Sequence, residues 1–398
     1  MIFYPKTYLI PIPMPEASCV PTAGVSSLRS LEAPGIPALS LAGKAHLLSQ
    51  AEEYLTAPIP HITDAVCPGS PGTIHDYCSN GDYWWPDPDS PDGLPFIRRD
   101  GETNPDNFNS HRILLRRMRT LSSCLAAAWT LTENERYAAR AVQILKEFFL
   151  DPDTRMAPHL SYAQAIPGIC DGRGIGIIDT IHLADIPFAV QALKNSSAMT
   201  DDIETGLRLW FSQYLGWMLT SANGIEEMNT DNNHSICFFM QAAVFSLFTD
   251  NELIAGFCRE HYKKVLIRQM EPDGSFPREL ARTKPYNYSI FVVDNLVTIC
   301  HVLSTPEDDL WDYTDTDGRN IRRAIDFILP YLLDKNAWPY PPDVMHFDAF
   351  PARASFMPFA GYRLGIPELI KLYESLPLEP EDEEARRNVA VRQAGLWM

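Results

Sequence analysis

Two stretches of the chain, 236–248 and 290–303, are apolar on nearly every side of a helical wheel. A helix without a polar face has to be walled in by other helices, so both belong to an interior. The segments around them are amphipathic: 135–148 puts Tyr137, Ala141, Ile144, Leu145 and Phe148 on one face, and 201–219 does the same with Ile203, Leu207, Trp210, Phe211, Tyr214 and Met218. Leu253, Phe257, Tyr262 and Leu266 form a further such face. Thr132 with Glu135, and Thr249 with Glu252, have the spacing of capping boxes that would start two of these helices. Fully apolar and amphipathic helices therefore alternate, and runs of β-branched alternation are almost absent. The expected fold is all-α: antiparallel helix pairs with the buried member inside, an α/α toroid or incomplete α/α barrel whose inner-helix ends and loops line a central cleft.

With 398 residues, 45% of them hydrophobic, the chain can fill one large core or two ordinary ones. Residues 1–60 read as a proline-rich extension and a first helix near 40–55, where Leu47, Leu48, Ala51 and Leu55 share a face. Residues 61–398 read as a single toroid domain that opens with an irregular stretch, 61–109, dense in Pro, Gly, Asp and aromatic residues. A loop of that length is usually functional or disordered, and Tyr83-Trp84-Trp85 argues for function.

The 33 basic and 51 acidic residues give a formal charge of −18, which speaks against a nucleic-acid surface or a basic membrane patch. No apolar run reaches the roughly 18 residues of a membrane span, so no membrane partner is expected. The stretch 8–13 is broken by prolines and lacks a basic n-region, unlike a signal peptide. Cys124, Cys237, Cys258 and Cys300 fall within helical patterns, where a buried free thiol is the usual outcome, and the eight cysteines show no zinc spacing. Cys67 and Cys78 share the irregular stretch and either pair or stay free; spacing alone does not decide.

Within this acidic chain, 273–289 gathers Arg278, Arg282, Lys284, Tyr286 and Tyr288 just ahead of an apolar helix. Cations concentrated at a helix mouth suit an anionic ligand. Tyr288 is the candidate general base, since a phenol with a reference pKa near ~10 needs adjacent positive charge to ionise, and Arg282 lies in the same turn-rich segment. The plainer alternative is an interface tyrosine with a wet hydroxyl. A second polar knot, Asn233 and His234, begins the other apolar helix, where an amide, an imidazole and free backbone N–H groups can hold a carboxylate. Otherwise Asp231 or Asn232 is only an N-cap and His234 a core histidine. Tyr83, Trp84 and Trp85 offer faces for sugar rings, Arg98, Arg99 and Arg173 offer charge, and Gln164 a hydrogen bond.

Asn232-Asn233-His234-Ser235, Asp273-Gly274-Ser275, Glu279-Leu280-Ala281-Arg282-Thr283 and Tyr288-Ser289 together resemble the alginate lyase superfamily of polysaccharide lyases. Tyr83-Trp84-Trp85-Pro86-Asp87-Pro88, the segment 93–101 and Gln164-Ala165-Ile166-Pro167-Gly168 look most like polysaccharide lyase family 38. The resemblance covers about 75–360 and implies an α/α toroid that cleaves uronate polymers by β-elimination, with no metal or organic cofactor. It places Tyr288 as the catalytic tyrosine, Asn233 and His234 as the pair that neutralises the substrate carboxylate, and Arg282 beside the tyrosine. Ser289 stands where the better-known mannuronate lyases have histidine. The expected partner is an anionic polysaccharide, alginate, polymannuronate or glucuronan, which favours a secreted or periplasmic location. Two other readings compete: a glycoside hydrolase drawing two carboxylates from Asp87, Asp171, Asp179 and Glu279, and a non-catalytic carbohydrate-binding protein.

Overall fold

In the computed structural model, which describes residues 41–398, α1 (Leu41–Tyr54) is followed by a long irregular stretch that leads to α2 (Ser110–Thr132). Next come α3 (Glu135–Phe149), α4 (Asp185–Leu193), α5 (Asp201–Thr220), α6 (Ala222–Met228), α7 (Asn233–Phe248) and α8 (Glu252–Lys264). The chain ends with α9 (Pro277–Leu280), α10 (Pro285–Leu303), α11 (Ile321–Leu333), α12 (Phe356–Arg363), α13 (Pro367–Ser375) and α14 (Glu383–Asn388). The inner helices α2, α4, α7, α10 and α12 pack against one another in that order, and α3, α8, α11 and α13 lie against α2, α7, α10 and α12 respectively. This is an α/α toroid, and the two segments that are apolar all round, α7 and α10, are inner helices as expected. Leu47, Ala51 and Tyr54 of α1 join the same apolar core. The stretches 1–40 and 8–13 lie outside the described residues.

The two inner helices that matter most start on polar residues. Asn232 caps α7 by accepting a hydrogen bond from the His234 N–H at 3.2 Å. In α10 the first residue is Pro285, which has no N–H to satisfy, and the Asp343 carboxylate accepts from the N–H groups of Tyr286 (2.9 Å) and Asn287 (3.0 Å).

Neither expected capping box forms. The Thr132 and Thr249 hydroxyls donate back to Ala128 O (2.7 Å) and Phe245 O (2.8 Å), because each threonine ends a helix instead of starting the next. Asn134 and Asn251 take the capping role for α3 and α8.

Short strands order the irregular stretch: β1 (Cys78–Asn80), β2 (Trp84–Trp85) and β3 (Ile97–Arg98), with β4 (Tyr162–Ala165) further along the chain. β1 pairs in parallel with β4, and β2 pairs antiparallel with β3. Cys67 and Cys78 are joined as a disulfide. Among the described residues, one apolar segment, Gly174–Leu193, is long enough to cross a membrane by length and composition alone. It escapes a search for unbroken apolar runs because Asp179, His182 and Asp185 interrupt it, and it lies mostly inside the toroid with Asp179 and Asp185 paired to Arg112 and Arg119.

Candidate active site

A cleft of about 290 Å³ opens where the N-termini of α7 and α10 meet the β2–β3 hairpin. Tyr83, Trp84, Arg98, Gln164, Arg173, Asn233, His234, Arg282 and Tyr288 all line it, so residues spread over the sequence are brought to one place.

Tyr288 lies at its centre. Its hydroxyl is 2.9 Å from that of Tyr83 and accepts from Arg282 Nη2 at 3.3 Å, while the guanidinium carbon lies 4.7 Å from the phenol ring centre. Arg282 is held in turn by Asp100, at 3.1 Å from Nε and 2.9 Å from Nη2, and Thr283 donates to the same carboxylate at 3.0 Å. Gly101 permits this contact: its φ is 79°, and a Cβ there would lie 2.3 Å from Thr283 Oγ1. Burial opposes charge on Asp100, but Arg282 and Thr283 prevail and hold its pKa at about 2. For Tyr288 the balance is reversed. Burial first, and then Tyr83, push the phenol well above its ordinary value against the pull of Arg282, so the unliganded site carries it protonated.

Asn233, also in the cleft lining, offers its backbone N–H to Glu279 Oε1 (2.8 Å) and its Nδ2 to Oε2 (2.7 Å). An amide has two N–H donors, so one remains for a ligand. His234 Nδ1 is 2.7 Å from Glu227 Oε1. This contact orients the imidazole and leaves Nε2 as the ring nitrogen not engaged by Glu227. Burial raises the pKa of Glu227, and its other oxygen, Oε2, has no hydrogen-bond partner among the described residues.

Residues 61–338 match the family described as alginate lyase. The chain belongs to the alginate lyase family. Its structure is similar to that of an alginate lyase from Bacteroides ovatus, with TM-score 0.77 and 34% identity over 88% of this chain and 92% of that one. Alginate lyase A1-III from Sphingomonas species A1 shares the fold at 17% identity and TM-score 0.52, over 82% of this chain and 88% of that one. A variant of A1-III complexed with tetrasaccharide matches at 18% identity and TM-score 0.57, over 87% and 93%. No curated protein sequence matches the chain. Membership makes the protein a polysaccharide lyase.

Not every residue expected at the site of this alginate lyase family member reaches the cleft. Tyr286 is fully buried, donating to Tyr331 O at 3.0 Å, and Lys284 is buried against Glu384 at 3.2 Å. Residues two apart in a helix are turned by about 200°, so a first turn that aims Tyr288 at the cleft aims Tyr286 at the core. Lys284 still matters indirectly, with its ammonium 5.2 Å from the Tyr83 ring centre. Arg278 is exposed and pairs with Asp231 at 2.6 Å. In the β2–β3 hairpin Trp84 and Arg98 are cross-strand partners on the cleft side, and strand alternation turns Trp85 away, where Arg99 covers it at 4.8 Å.

Asp82, Arg112 and Arg387 line the cleft and carried no sequence signal of their own. Below Tyr83, Asp82 bonds Arg112 and lies 2.8 Å from Arg387 of α14, and despite burial the two guanidinium groups hold its pKa at about 2. Gln164 has a left-handed backbone (φ 50°), a costly conformation for this residue type, fixed by bonds to Ser79 (2.8 Å), Asp179 (3.0 Å) and Arg173 (3.1 Å). The carboxylates considered for hydrolysis are otherwise engaged. Asp179 accepts from Tyr77, Ser79, Gln164 and Arg112, Glu279 is bonded twice to Asn233, and neither Asp87 nor Asp171 lines the cleft.

Proposed function

We propose that the protein cleaves 1,4-linked uronate polymers of the mannuronate or glucuronate type, alginate, polymannuronate or glucuronan, by β-elimination, leaving 4,5-unsaturated uronate ends. The observation that carries this reading is the convergence of Tyr288 with Arg282 and of Asn233 with His234 on one cleft.

A C5 proton is removable only when the neighbouring carboxylate is neutralised, because the developing aci-carboxylate must be stabilised. The free N–H of Asn233 and the imidazole of His234 supply that. Tyr288, once ionised, takes the C5 proton; the C–H electron pair becomes the C4–C5 double bond, the C4–O4 bond breaks, and the phenol returns the proton to O4. Arg282 opposes the burial that keeps Tyr288 protonated, and Tyr83 at 2.9 Å provides the first step for its proton to leave. Trp84, Arg98 and Arg173 supply a stacking face and charge for neighbouring sugars.

The motifs at 83–88 and 164–168 favour the family 38 branch. A polymeric substrate places the protein in a secreted or periplasmic setting, and the Cys67–Cys78 disulfide supports an oxidising compartment.

Incubation of purified protein with polymannuronate, polyguluronate and glucuronan tests the reading. A lyase yields a conjugated uronate that absorbs in the near ultraviolet. New reducing ends without that absorbance on any of the three polymers would sink the proposal.

A further inference from the structure

Away from the cleft, between α1, α2, α13 and the C-terminal segment, a second pocket of about 400 Å³ is lined by Arg116, Arg117, Arg119, Arg353, Arg386 and Arg392. The chain as a whole carries −18, so six guanidinium groups at one pocket run against its charge. Two carboxylates line the pocket with them. Glu383 pairs with Arg116 and, at 3.2 Å, with Arg386, and Glu379 pairs with Arg392. Arg119 is held from behind by Asp185 at 3.4 Å. Arg117 and Arg353 have no carboxylate partner among the described residues and lie over the rings of Tyr54 (4.9 Å) and Tyr373 (4.2 Å).

The arginines also have unused donors. Among the described residues, Arg116 Nη1 and the Nε groups of Arg119, Arg353 and Arg392 are buried without a hydrogen-bond partner, and Arg119 is only 3% exposed. Buried donors left unpaired are costly, and the two glutamates that line the pocket serve only three of its six guanidinium groups. Planar guanidinium forks match carboxylate and phosphate oxygens.

We propose that this pocket is a second anion site, separate from the catalytic cleft, that takes a small polyanion bearing carboxylate or phosphate groups, with Glu379 and Glu383 as its intramolecular competitors. The site is linked to the cleft through one helix. On α14, Glu383 faces the arginine pocket while Glu384, Arg387 and Asn388 line the cleft, so a ligand that displaces Glu383 acts on the helix that forms the cleft floor.

Isothermal titration calorimetry on the full chain at low salt, with citrate and separately with inorganic phosphate, tests this without any lyase assay. At least one probe binds, and which one assigns the chemistry. Arg353→Gln and Arg117→Gln each weaken that binding by about tenfold, the loss expected for a charge-assisted contact, with thermal melts confirming the fold. Glu383→Gln removes a competitor and tightens it. Binding of neither probe, binding left unchanged by both arginine variants, or weaker binding in Glu383→Gln overturns the proposal.

Discussion

The hydroxyls of Tyr83 and Tyr288 lie 2.9 Å apart, although 205 residues separate them in the chain. One phenol is thus placed to accept or supply the proton that the other must lose or regain, and Arg282 donates to the Tyr288 hydroxyl. Tyr288→Phe removes the transferring oxygen, so kcat is expected to fall by ~10²–10⁴ with an unchanged melting temperature. Tyr83→Phe keeps that oxygen and removes a group that raises its pKa, so it retains far more activity. Losses of equal size in the two variants would show that Tyr288 is not the unique transfer group.

Asp100 offers a test through pH. Its negative charge raises the Tyr288 pKa and offsets Arg282, whose charge lowers it. The base form is the phenolate, so activity rises with pH as that form accumulates. Asp100→Asn removes the opposing charge and lowers the phenol pKa, so the ascending limb of kcat/KM moves to lower pH. Arg282→Gln moves it the other way and also lowers the maximum. A limb that stays in place in both variants would assign it to a group other than Tyr288.

The helices were legible in the sequence because their signal is local: the all-round apolarity of α7 and α10 needs only a dozen residues to be seen. The Arg282–Tyr288 pair was legible for the same reason, six residues apart in one segment. Tyr83–Tyr288, Asp100–Arg282 and Asp82–Arg387 join segments 205, 182 and 305 residues apart, and no local pattern announces them. Lys284 and Tyr286 were assigned to substrate because their chemistry suits an anion, whereas the helical turn decides which of those side chains reaches it.

Asp179 separates a structural carboxylate from a catalytic one. It accepts from Tyr77 (3.2 Å), Ser79 (2.5 Å) and Arg112 (3.0 Å) through Oδ2 and from Gln164 (3.0 Å) through Oδ1, and it is 5% exposed. Asp179→Ala leaves the Arg112 charge short of a buried partner, which costs about 3–5 kcal/mol and a marked drop in melting temperature. Asp179→Asn keeps the shape and loses less stability. If Asp179→Asn melts like the wild type but has no activity, the residue is part of the chemistry and the hydrolase reading regains ground.

His234 and Glu227 bear on which epimer is cleaved. In β-mannuronate and β-glucuronate the C5 proton and O4 leave from the same face, so Tyr288 can serve as base and then as acid. Guluronate is inverted at C5, and its proton faces away from Tyr288, so a second base is required; the His234 imidazole, held by Glu227 at 2.7 Å and lining the same cleft, is the candidate. His234→Gln keeps a donor for the substrate carboxylate but cannot take a proton. Glu227→Gln keeps a hydrogen-bonding group beside Nδ1 but removes the carboxylate that holds the ring in place. Both variants are therefore expected to lose guluronate cleavage while retaining part of their activity on polymannuronate or glucuronan, measured as initial rates of ultraviolet absorbance on each polymer. An equal fractional loss on all substrates would mean that the pair only neutralises the carboxylate and has no epimer-specific role as base.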